Sequence, residues 1–196
     1  MRPHPFRNRA ALTFFTSSKC EMAVPVDDPL LLHALRQAAL DPKVRKIYHW
    51  AGPEIECPRV SLEGVVLDRV DGSFLLRVHE TRPERTTGEA ASLAYALKRH
   101  GLRLLERDAS DIRREPLFSN SDLVWSYARY HVSITDRLRI ALALEDGGPQ
   151  SVMELEERAR PTCDILAAIC ALACDDLLCI DTHREPLGLR TVVSSR

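Results

Sequence analysis

Apolar and polar positions follow two rhythms along this chain, and the changes of rhythm mark its elements. The sequence RVSLEGVVLDRVDGSFLLRVHE, residues 59–80, carries two apolar runs on either side of Asp71-Gly72. Asp-Gly between apolar runs predicts a β-hairpin, because both residues tolerate the positive φ of a tight turn. Upstream, Asp28-Pro29 opens a helix over residues 30–40, with Asp28 as N-cap and Pro29 at the first helical position. Asp41-Pro42 ends it, and residues 44–50 alternate as a strand. Downstream, Thr86-Thr87-Gly88-Glu89 is a capping box. Ala90, Leu93, Ala94 and Leu97 follow at helical spacing, and Gly101 stops the helix. Residues 102–106 form a strand. The order helix, strand, hairpin, helix, strand predicts an α/β layer in which helices cover a short mixed sheet.

The second half changes character. Residues 122–130 read as a bridging helix carrying Leu123, Trp125, Tyr127 and Tyr130. Ser133 with Asp136 caps a helix that Gly147-Gly148 stops. Ser151 with Glu154 is a second capping box, for a short helix to Ala159. A third helix spans residues 163–177. Short strands follow over residues 178–182 and 191–194, joined by a polar turn with Pro186 and Gly188. Three helices followed by a two-stranded wing describe a winged helix-turn-helix. We therefore expect a segment 1–28, an α/β domain over 29–118 and a winged-helix-like domain over 119–196.

Residues 1–28 are basic, with Arg2, Arg7, Arg9 and Lys19 and few acids. A transit peptide has this composition. We read the segment instead as a disordered tail, or as an overextended start with Met22 as initiator. The whole chain has a net charge of −1, which gives no overall bias toward nucleic acid or membrane. None of its six cysteines forms a CxxC pair, so a disulfide framework is not expected and a reducing cytoplasm is.

With both halves placed, the chain resembles the TnsA-type transposase endonucleases, which join a PD-(D/E)xK nuclease domain to a C-terminal winged helix. The segments that carry the resemblance are RLLERDASDIRREPLFSNSDLVW and GGPQSVMELEERA with the helix after it. The resemblance implies Mg²⁺ held by an acid on an early helix, an Asp on the first hairpin strand and a Glu-x-Lys on the second. The carboxylates would hold the ion, which activates water and stabilises charge on the phosphate. It also implies DNA, a transposase or integrase subunit and an ATPase regulator as partners.

The motif is degenerate. Arg77-Val78-His79 stands where Glu-x-Lys is expected, Glu63 or Gly64 where the Asp is expected, and Leu32 or His33 where the helix acid is expected. A guanidinium repels Mg²⁺, so no cofactor is expected unless acids have migrated. Glu54, Glu56, Asp68 and Glu80 are the acids available for that. His33 and His79 are read as separate histidines rather than a zinc pair.

DNA contacts, if made, would come from Lys98, Arg99, Arg103, Arg107, Arg113 and Arg114. A solvated face interleaved with Glu106, Asp108 and Asp111 is the plainer reading of that cluster. The third helix, CDILAAICALACDDLL, offers no base-reading cation, and residues 121–196 carry a net charge of −4. Such a helix suits an interdomain or dimer contact better than a major groove. Cys163, Cys170 and Cys174 share one of its faces as packing residues. The expected function is that of a catalytically inactive nuclease relative that binds DNA or protein in transposition or recombination. The alternatives are an active endonuclease with migrated acids and a winged-helix adaptor.

Overall fold

The computed structural model describes residues 13–53 and 62–196. Among them the chain is mixed α/β, with seven helices and a four-stranded mixed sheet. The first half contains β1 (Thr13–Phe15), β2 (Val24–Val26), α1 (Pro29–Leu40), β3 (Val44–Trp50), β4 (Gly64–Arg69), β5 (Gly72–His79), α2 (Thr87–Arg99) and β6 (Leu102–Asp108). The central sheet has the order β3-β4-β5-β6. Strands β3, β4 and β5 are antiparallel neighbours, and β6 returns parallel to β5 after the α2 crossover.

Period-two alternation sorts the sheet residues onto two faces. Val65, Leu67, Leu76 and Val78 pack with Leu30, Ala34, Leu35 and Ala38 of α1. Val66, Leu75 and Leu102 pack with Leu97 of α2 on the other side. Asp28 accepts from the Leu30 amide at 2.8 Å to start α1. Thr86 and Glu89 exchange hydrogen bonds to start α2.

The hairpin forms, but its turn is displaced by one residue from the expected one. Arg69 pairs with Gly72, so the two loop residues are Val70 and Asp71. Only Gly72 takes a positive φ, at 129°. Asp71 keeps an ordinary backbone conformation, and its carboxylate accepts from Arg69 Nε at 3.0 Å.

The N-terminal expectation is corrected for residues 13–28. They form no disordered tail. Strands β1 and β2 pair as an antiparallel ribbon, and Phe15, Val24 and Val26 are buried. Phe15 meets Trp125 with ring centroids 5.3 Å apart. The Ile47 amide donates to the Lys19 carbonyl at 2.9 Å, so the ribbon covers the β3 edge of the sheet. The arginines lie upstream, in residues 1–12, and three apolar side chains decide the fate of residues 13–28, since burying each contributes about 1.5–3 kcal/mol.

The second half contains α3 (Ala109–Ile112), α4 (Leu117–Ser126), α5 (Ile134–Gly147), β7 (Gln150–Ser151), α6 (Val152–Ala159), α7 (Ile165–Cys174), β8 (Leu178–Ile180) and β9 (Val192–Ser195). Bridging helix α4 starts five residues earlier than expected and ends at Ser126. Strand β7 joins the two expected strands to give the order β7-β9-β8. Ser133 caps α5, and Ser151 with Glu154 forms the capping box of α6.

Helix α7 begins at Ile165 under an Asp164 cap and is buried at nine of its ten positions. Its neighbours include α4, α6 and α1. It is a core helix, with no face left for a groove reader. Cys170 and Cys174 are buried in it, and burial pushes both thiols up to about 12. The Cys174 thiol points at the Val124 carbonyl, 3.6 Å away.

Candidate functional site

Strand β5 is central in the sheet, and its C-terminal end carries Arg77 and His79 two residues apart, hence on one face. That face is the α2 side. In the parallel register Arg77 lies beside Glu106 and His79 beside Asp108 of β6. Arg85, just before α2, donates to Glu106 through both terminal nitrogens, at 2.6 and 2.7 Å. His79 Nε2 stands 3.3 Å from the same carboxylate, too poorly aligned for a hydrogen bond. The result is a network of Arg85, Glu106 and His79 beside Arg77. The Arg85 hydrogen bonds hold the Glu106 carboxyl below its usual range.

Arg77 crosses the start of β4. A Cβ on Gly64 would come 3.3 Å from Arg77 Nη1 and 3.4 Å from Leu75 Cδ1. Absence of a side chain at Gly64 thus makes room for the guanidinium. Burial lowers the Arg77 pKa, Arg85 adds to that, and the carboxylates of Glu63 and Glu106 oppose it. Glu63, exposed beside Gly64, has His49 Nε2 3.6 Å from its carboxylate. Glu63, His49, Gly64, Arg77 and His79 border, with Asp27, Asp28 and Leu31, a cavity of about 410 Å³ at the end of the hairpin.

The donors here do not fit Mg²⁺. A hard dication wants several converging oxygens, and the α1 side of the cavity offers three scattered carboxylates and the His49 imidazole, while the Arg77 and His79 side chains leave for the α2 side. One of those carboxylates, Asp28, is engaged as the α1 cap. No group of three or more His, Cys, Asp or Glu able to hold a metal ion occurs among the described residues. Of the acids that could have migrated, Asp68 accepts from Ser73 at 3.1 Å, away at the turn end of the hairpin. Glu80 pairs with Arg113 at 3.2 Å. Glu54 and Glu56 lie outside the described residues.

The histidines are separate, as read. His33 sits on α1 against the Phe118 ring, 4.8 Å away, with Asp122 3.2 Å from its Nδ1. His79 is on the far face of the sheet.

The six basic candidates do not make one surface. Lys98 and Arg99 end α2, and Arg103 stacks over Phe74 at the start of β6. Arg107 lies four residues, about 13 Å, further along that strand, and Arg113 and Arg114 follow beyond its end. Arg107 is half-buried and donates to the Asp111 carbonyl at 3.0 Å. A second cavity of about 560 Å³ lies under α1, where Arg69, Arg107 and Arg114 are balanced by Asp41, Asp111 and Glu115. The Arg85–Glu106–His79 network escaped sequence reasoning, because its members are brought together only by the register of a parallel pair. The one signal was two polar residues, Arg77 and His79, alternating at the end of a buried strand.

No family model matches this chain, and no curated protein matches it.

Proposed function

We propose that this chain is a catalytically inactive relative of the TnsA-type nucleases, working in the cytoplasm as a binding component of a transposition or recombination system. The observation that carries the reading is Arg77 seated over Gly64 in a sheet of nuclease-like order. The run α1-β3-β4-β5-α2-β6, with three antiparallel strands and a parallel return, supports a PD-(D/E)xK reading of the first half. The hairpin end is where such a core keeps its carboxylates. Here that place holds a cation and a glycine. Three helices and a small antiparallel sheet in the second half support a winged-helix reading. Its third helix is buried in protein and its net charge is −4, which favours protein over DNA as its partner. DNA contacts would then fall to the first half, through Lys98, Arg99 and Arg103 at one end of β6 and Arg113 and Arg114 at the other.

The test is nicking of supercoiled DNA with Mg²⁺ or Mn²⁺. The purified chain is expected to leave the DNA intact while retaining salt-sensitive DNA or partner binding. Metal-dependent nicking that Glu63→Ala abolishes would return the protein to the active nucleases.

A further inference from the structure

Helix α5 turns Asp136, Ile140 and Leu144 inward and leaves an apolar stripe outside. Ile134 is 78% exposed, Leu138 59% and Leu142 57%, and Leu177 beside them is 55% exposed. Ile134, Leu138, Ala141 and Glu145 follow a four-three-four spacing, so they form one line along the helix. With Leu172 and Leu177 they border a groove of about 540 Å³. A contiguous apolar surface of this kind on a chain otherwise rich in charge marks an interaction site.

The charges on the stripe say what fits it. Arg137 and Glu145 both line the groove, each four residues from Ala141 in opposite directions. Arg137 is kept at the rim by Asp175, 3.3 Å away, and by the Val132 carbonyl at 3.2 Å. Two copies of α5 crossing antiparallel at Ala141 would set Arg137 of each against Glu145 of the other. The small Ala141 lets the helix axes approach, and Leu138 of each copy then covers the partner's stripe. An unlike partner would have to supply both signs at matching places, whereas a second copy does so by symmetry.

We propose that the chain forms a two-fold dimer through α5, with Arg137 and Glu145 as reciprocal partners across Ala141. This proposal is independent of any nuclease ancestry.

Sedimentation of the full chain over a dilution series tests it. The wild type is expected to dimerise. Arg137→Glu and Glu145→Arg should each weaken the dimer by about 100-fold, because like charges then face each other twice. An equimolar mixture of the two variants should restore association, since each presents the charges the other lacks. Recovery on mixing also shows that both variants are folded. A wild type that stays monomeric overturns the proposal. So does a dimer unmoved by either reversal, or a mixture of folded variants that stays monomeric.

Discussion

Arg77 lies across Gly64, with Nη1 3.3 Å from the point where a side chain would begin. The guanidinium of one hairpin strand thereby covers the start of the other. Gly64→Ala is expected to destabilise the fold by about 1 kcal/mol, as the new methyl meets both Arg77 and Leu75. Chemical denaturation of a double-mutant cycle with Arg77→Ala checks this. The two substitutions should be non-additive, with Gly64→Ala costing less once Arg77 is truncated.

Glu106 gives a pH-dependent contribution. Its folded pKa is depressed, first by hydrogen bonds from Arg85. A depressed carboxylate stabilises the fold above its unfolded pKa, and the contribution is lost as pH falls through the folded value. Glu106→Gln should therefore cost roughly 2 kcal/mol at neutral pH and progressively less in acid below the ordinary carboxylate range. Urea melts of both proteins at descending pH measure the difference.

At Lys19 the fold disfavours the charged form instead of favouring it. It is buried, donates to the Asp41 carbonyl at 2.7 Å, and burial lowers its pKa to about 8. Between pH 8 and its unfolded pKa the unfolded chain binds the extra proton, so stability from this group rises with pH. Below pH 8 the ammonium is charged in both states, and its desolvation is offset only in part by Asp176, 3.5 Å away, and the Asp41 carbonyl. Relative to Lys19→Met, the wild type should gain stability as pH rises through that window, as denaturant midpoints would show.

Much of the architecture was legible because its signals are local. Asp28-Pro29, the Thr86–Glu89 box and the Ser151–Glu154 box each fix a helix start within four residues. Strand β3 forms at the expected residues 44–50, although its burial repeats at three residues and a bulge between Val44 and Lys46 breaks the alternation. The rest depends on contacts remote in sequence. Residues 13–26 look like the end of a polar tail until Phe15 meets Trp125. The hairpin turn slips by one because Arg69 pairs with Gly72, leaving Val70 in the loop. The third helix of the second half looked like a reader by position, yet its composition already signalled burial. At the candidate site the polar pair Arg77 and His79 at the end of a buried strand was plain, whereas their direction, toward α2 and Glu106 and away from α1, required the sheet faces to be known.

Cys170 and Cys174 are expected to be inert. Burial raises both thiols to about 12, which leaves little thiolate at neutral pH. Mass spectrometry after brief alkylation should find both unmodified in the native chain and modified after denaturation. Modification of either at a native rate matching an exposed thiol would mean that α7 leaves the core.

The hairpin end carries the Arg77 guanidinium, and the carboxylates near it do not converge on a divalent ion. Titration of the full chain with Mn²⁺, followed by electron paramagnetic resonance of the free ion, tests this most directly. The account predicts no saturable site that depends on Glu63. A saturable Mn²⁺ site present in the wild type and lost in Glu63→Ala would contradict it.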